Sequence, residues 1–210
     1  MQIKLRGCDI SHWQGNIDFK RLKKSCDFVI IKAGGTDTSD FFYADKRFER
    51  NYAAAKAAGL KVGCYFFAGE FSQLTENGTR DAGYFYNIIK GKSFEMPVYL
   101  DYELGNKNSK RENTRYAVAF CNLLERLGYF TGIYGSDIST FKDLLNYEDI
   151  RRYSLWVARY GKRPDYVKNY AIWQYSSSGK LDGIKGKVDL DYAYTDLSNI
   201  IVKKHLNNCK

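Results

Sequence analysis

Apolar and polar positions along the chain fall into eight short apolar runs separated by segments of helical period, the pattern of strands alternating with helices. The runs are Lys4 to Ile10, Phe28 to Ala33, Lys61 to Ala68, Met96 to Glu103, Thr131 to Gly135, Ser154 to Tyr160, Tyr170 to Ser176 and Val188 to Tyr194. Among the intervening segments, Asp45 to Ala58 carries Phe48, Tyr52 and Ala55 on one stripe and stops at Gly59. A second helix starts at Ser109, whose Ser-x-x-Glu box with Glu112 caps it; it carries Tyr116, Phe120, Leu123 and Leu127 and stops at Gly128. This alternation predicts a parallel α/β barrel. The rhythm breaks after the fifth strand. Residues 161–169 and 177–187 are short for helical crossovers, so the last three strands are predicted to run as hairpins, at least partly antiparallel.

The fourth run places Asp101 and Glu103 two residues apart, on one face of a strand that otherwise reads as buried. Asp9 on the first run and Asp189 on the eighth join them at the mouth, because the first and last strands of a closed barrel are neighbours. Clustered carboxylates repel one another, and burial adds to the effect, so one acid is expected to hold its proton near neutral pH. Glu103 is the choice for that role: it lies nearer the strand end and has the longer reach. Paired acids of this kind suit glycoside hydrolysis, and same-face strand neighbours are expected roughly 6.5 Å apart. Tyr65, Phe67, Tyr134 and Trp156 are candidate sugar-stacking rings, and Gln174 a candidate hydrogen-bonding partner for substrate. His12 follows Ser11, but that adjacency defines no catalytic triad, and His12 reads as structural.

Composition narrows the choice. At 210 residues, with 44% hydrophobic content and two prolines, the chain is expected to form one folded domain over residues 1–210. No apolar run approaches the ~20 residues that cross a membrane, and the start, Met1 to Arg6, has no apolar targeting core, so no signal peptide is expected. Five cysteines, an odd number without a Cys-x-x-Cys pair, argue against a disulfide scaffold and a zinc site and for synthesis in a reducing compartment; Cys8 and Cys64 read as buried thiols. The net charge of +9 comes from cations spread along the chain rather than from one block, and is compatible with an anionic polymer as partner.

In order, Gly7-Cys8-Asp9-Ile10-Ser11-His12-Trp13-Gln14-Gly15, Val62-Gly63-Cys64-Tyr65-Phe66-Phe67, Leu100-Asp101-Tyr102-Glu103, Gly132-Ile133-Tyr134, Leu155-Trp156-Val157-Ala158, Ile172-Trp173-Gln174-Tyr175 and Val188-Asp189-Leu190-Asp191 resemble the family 25 glycoside hydrolases, the Chalaropsis-type lysozymes. The resemblance implies a TIM-like irregular (β/α)5(β)3 barrel; the chain shows no repeat, linker or low-complexity tail, so no separate cell-wall-binding module is expected. It implies hydrolysis of the β-1,4 bond between N-acetylmuramic acid and N-acetylglucosamine in peptidoglycan, with retention and without metal or other cofactor. By position, Glu103 becomes general acid and then base, Asp101 supports the substrate's acetamido group as internal nucleophile, and Asp9 and Asp189 position substrate and tune the pair. The expected wide spacing of Asp101 and Glu103 favours substrate assistance over direct attack, which uses carboxyls ~5 to 5.5 Å apart. The resemblance further implies action on the cell wall; as a lone catalytic domain without a visible signal peptide, the chain is expected to be a phage or prophage endolysin or a bacterial autolysin, and a monomer. Two positions depart from the family pattern: Lys32-Ala33-Gly34-Gly35-Thr36 replaces a Thr-Glu-Gly turn, and Phe66 replaces a frequent histidine.

Other readings make different demands. A hydrolase binding magnesium or calcium through the four acids would lose activity on chelation. A noncatalytic wall-binding module would bind peptidoglycan without releasing reducing sugar. Nucleic-acid binding rests only on charge and tyrosine content, lacks a groove-reading motif and is not expected.

Overall fold

A computed structural model describes residues 2–37, 41–69, 72, 77–104 and 108–209. Eight strands close a barrel: β1 (Leu5–Ile10), β2 (Phe28–Thr36), β4 (Lys61–Phe67), β5 (Val98–Asp101), β6 (Thr131–Ser136), β7 (Ser154–Ala158), β8 (Ile172–Gly179) and β9 (Val188–Ala193). A ninth, β3 (Phe42–Ala44), lies outside the ring, antiparallel to β2. Its three residues are too few to show as an apolar run. Neighbours pair in parallel from β1 through β2, β4, β5, β6 and β7 to β8. Only β9 runs the other way, pairing antiparallel with β8 and with β1 and so closing the ring.

Each strand divides its residues between two cores. In β2, Phe28 and Ile30 point into the barrel with Met96, Tyr99, Tyr134, Trp156 and Ile172, while Val29 and Ile31 point out to the helical layer. That double burial is why the strand reads as an unbroken apolar run. Gly132 makes room for the ring of Tyr99: a Cβ there would lie 2.3 Å from a ring carbon. The helical layer includes α1 (Phe19–Leu22), α2 (Phe48–Ala57), α3 (Gly78–Ile89) and α4 (Lys110–Arg126). The Ser109 and Glu112 capping box is formed, and Tyr116, Phe120 and Leu124 of α4 are buried. None of the described helices is long and apolar enough to cross a membrane. The five cysteines are free and buried.

The end of the barrel departs from the hairpin expectation in one place. β8 and β9 do form an antiparallel hairpin, but β7 and β8 are parallel. The 13 residues between Ala158 and Ile172 suffice for a crossover without a helix. Asp137 anchors it. The backbone N–H groups of Asp165, Tyr166 and Val167 donate to its carboxylate at 2.8, 3.2 and 2.9 Å, and the Arg159 guanidinium pairs with it.

Candidate active site

The inward positions at the carboxyl ends of the parallel strands form one continuous ring. Asp9 of β1 stands opposite Asp189 of β9, and Gln174 of β8 opposite Asp191. Ala158 neighbours Gln174, Trp156 neighbours Tyr134, Tyr134 neighbours Asp101, and Asp101 neighbours Phe67. The four acids read from the sequence therefore converge at one mouth. β5 ends at Asp101, so Glu103 lies just past the strand rather than within it. Tyr102 fixes this segment: its hydroxyl donates to Asn113 on α4 at 2.8 Å and its N–H to the Tyr134 carbonyl at 3.0 Å, which turns the flanking acids inward.

Asp101 and Glu103 are in direct hydrogen-bonding contact. That contact is closer than the roughly 6.5 Å of same-face strand neighbours. Burial pushes Asp101 well above the usual carboxylate range, and the neighbouring Glu103 charge adds to it. Burial also raises Glu103, although its contact with Asp101 pulls the other way. Because each carboxyl shifts the other, their titration belongs to the pair rather than to either residue. Lys32, an inward position on β2, opposes both shifts; its ammonium lies 4.4 Å from the centre of the Phe67 ring and 6.0 Å from that of Tyr65.

Across the mouth, Asp9, Asp189 and a fifth acid, Asp191, form a second cluster. Burial raises Asp9 most, followed by the charges of Asp191 and Asp189. Burial pushes Asp191 up to about 8, while the Trp156 indole N–H, donating to its Oδ1 at 2.8 Å, pulls it down. Its Oδ2 and Oδ1 of Asp101 are buried without an N–H or O–H donor among the described residues, and each of these acids touches another carboxyl. Gln174 ties the two sides together: its Nε2 donates to Asp9 at 2.8 Å, and its Oε1 accepts from the hydroxyls of Tyr134 and Tyr160 at 2.9 and 3.0 Å.

Three expected substrate contacts change character. Trp156 is 1% exposed, with Tyr134 packed 4.3 Å away and Tyr99 5.2 Å away, so it holds Asp191 from below and has no free face for a sugar. Gln174, also 1% exposed, spends its amide on Asp9 and the two tyrosines. Tyr134 is buried with its hydroxyl engaged. Tyr65 and Phe67 stay partly exposed at the mouth. His12 is structural, held by Asp45 through its Nδ1 at 2.7 Å and its backbone N–H at 3.1 Å. Lys32, Asp191 and Tyr160 are the residues that motif reading misses. Beside Glu103 opens a hollow of about 370 Å³, lined by Ser136, Ile138, Arg159 and Tyr160. A larger one, about 580 Å³, sits on the outer wall against Ala54, Ala57 and Ala58 and holds no pair of acids.

The chain belongs to the glycosyl hydrolases family 25, whose sequence profile matches residues 8–184. It is 32% identical over 189 residues to the autolytic lysozyme of Clostridium acetobutylicum, covering 89% of this chain and 55% of that protein, so it spans little more than half of that relative's length. Its fold is similar to that of the bacterial lysozyme from Streptomyces coelicolor, with TM-score 0.81 and 26% identity over the whole of both chains. The CTP1L endolysin superposes with TM-score 0.80 at 30% identity, over 94% of this chain and 69% of that one.

Proposed function

We propose that this chain is a peptidoglycan muramidase that hydrolyses the β-1,4 bond between N-acetylmuramic acid and N-acetylglucosamine with retention. The observation that carries this reading is the contacting Asp101–Glu103 pair at the barrel mouth, in a chain of family 25. Glu103 is the more exposed of the two, and it protonates the glycosidic oxygen as the bond breaks. The bond's electron pair stays on that oxygen, and the sugar gains oxocarbenium character.

Asp101 is the deeper acid. Once Glu103 has given its proton to the leaving group, Asp101 is the anion that receives the N–H of the substrate's acetamido group and directs its carbonyl oxygen onto the anomeric carbon. The wide spacing expected from the sequence does not hold and no longer supports this route; what favours it over attack by Asp101 itself is that two carboxyls in contact leave no room for a sugar ring between them. Glu103, now ionised, takes a proton from the water that opens the cyclic intermediate, and two inversions give retention. Asp9 and Asp189 face the developing positive charge and hold the sugar, with Tyr65 and Phe67 offering ring faces. The protein acts on the cell wall as a monomer without a cofactor, the barrel carrying the chemistry. Its role is that of a phage or prophage endolysin or an autolysin.

The test is to digest purified peptidoglycan, reduce the products and identify by mass spectrometry the sugar at the new reducing end. Reduced N-acetylmuramic acid supports the assignment; reduced N-acetylglucosamine, or no new reducing end, overturns it.

A further inference from the structure

The positive charge is spread along the sequence, but the fold gathers much of it. Residues 18–24, around α1, and residues 180–187, in the loop joining β8 to β9, lie side by side. The Asp18 N–H donates to the Gly183 carbonyl at 2.9 Å, and Arg21 and Asp182 form a two-point pair at 3.0 and 2.6 Å. Ile184 and Leu181 pack into the apolar cluster that holds Ile17, Phe19 and Leu22. Gly183 permits the approach: its φ is +94°, and a Cβ there would lie 2.3 Å from the Asp18 carbonyl oxygen. With Arg21 and Asp182 neutralising each other, the two adjoining segments carry six lysines: Lys20, Lys23 and Lys24 on one, Lys180, Lys185 and Lys187 on the other. All six are exposed, and among the described residues none is within ion-pair distance of a carboxylate. Seven cations against two acids leave five of the chain's nine net positive charges on these two adjoining segments.

We propose that these segments form a docking surface for a phosphodiester-linked anionic polymer of the cell wall, held alongside the glycan strand in the cleft. The choice of a wall polymer rests on the muramidase reading above and on position: the loop joins the strands whose mouth ends carry Gln174 and Asp189. The chemistry of the face supports it. Lysine ammoniums on flexible stems suit an irregular row of phosphates, whereas shaped recognition would call for arginine forks. Within the two segments the aromatic residue, Phe19, is buried, so the face has no platform on which a nucleobase could stack. Because the hairpin is anchored in the core, the charges are held together before the polymer arrives, and little ordering accompanies binding.

The experiment compares the full chain with the variant K23E/K24E/K185E/K187E, none of whose positions belongs to the cleft. Sedimentation with intact walls, walls stripped of phosphodiester polymer by hydrofluoric acid, and soluble single-stranded DNA is measured from 50 to 300 mM salt, beside hydrolysis of soluble glycan fragments. Expected are at least ~10-fold weaker binding of the variant to intact walls, a similar loss for the parent on stripped walls, and a shallower salt dependence for the variant. Fragment hydrolysis should agree within about 2-fold. Equal binding of parent and variant to intact walls, equal binding of the parent to intact and stripped walls, or tighter binding of DNA than of wall polymer at matched phosphate would overturn the proposal. These binding results stand even if the muramidase assignment fails, since a loss of that assignment shows in the fragment assay alone.

Discussion

Asp9 and Asp189 face each other directly across the antiparallel β1–β9 pairing that closes the barrel. Like charges opposite one another on adjacent strands destabilise a sheet, and here Asp191 enlarges the cluster. A fold under selection for stability alone would not gather these acids at a mouth that also holds Asp101 and Glu103. The arrangement is understandable if positive charge develops between them during a reaction.

Replacing Glu103 by Gln removes the transferable proton and keeps the shape. Turnover on peptidoglycan should fall ~10³-fold or more, with the melting temperature equal to or above that of the parent and wall binding retained. Comparable turnover in the variant would remove Glu103 from the mechanism.

Much of this site is legible in one rule applied evenly. Period-two alternation pairs Asp101 with Glu103; on β9 it equally pairs Asp189 with Asp191, and on β2 it carries the inward row from Phe28 and Ile30 to Lys32. What the rule lacks is depth. Whether an inward aromatic lines the cleft or lies beneath it depends on how far down the strand it sits once the ring closes, so Trp156 and Phe67 look alike in sequence and differ in the fold. Strand direction is hidden for a related reason. The parallel β7–β8 pairing depends on Asp137, more than twenty residues before the crossover it anchors, and no local pattern advertises such a contact.

That anchor gives a second prediction. Asp137→Ala leaves three backbone N–H groups of the crossover without their acceptor and the largely buried Arg159 without its partner. Stability should fall by about 3 kcal/mol, measured by chemical denaturation at pH 7. Activity should fall with it, because Arg159 and Tyr160 line the hollow beside Glu103. A change below about 0.5 kcal/mol would show that the crossover holds itself.

Lys32 tunes the acid pair from β2. Its ammonium favours the ionised forms of Asp101 and Glu103, so Lys32→Met, which keeps the packing on Phe67, should raise both. The acidic limb of the pH–rate profile reports the carboxyl that must ionise and the alkaline limb the one that must stay protonated, so both limbs should move to higher pH, by roughly half to one unit. An unmoved profile, or one moved to lower pH, would show that Lys32 acts only by packing.

Asp191 makes the sharpest case for a group kept at a cost to stability. In the unfolded chain its carboxyl titrates near an ordinary value of about 4, whereas in the fold burial raises it to about 8. Below about pH 4 both states carry the proton, and the group introduces no pH dependence. Between about 4 and 8 the unfolded chain is ionised while the folded one must retain the proton, so stability declines by up to about 1.4 kcal/mol per pH unit, and above 8 the loss is constant. Asp191→Asn keeps an acceptor for the Trp156 indole and cannot ionise. The variant should therefore be more stable than the parent at pH 8, by on the order of a few kcal/mol, with the difference shrinking steadily to pH 5, as urea denaturation across that range would reveal. A constant difference would mean that Asp191 keeps an ordinary titration in the fold.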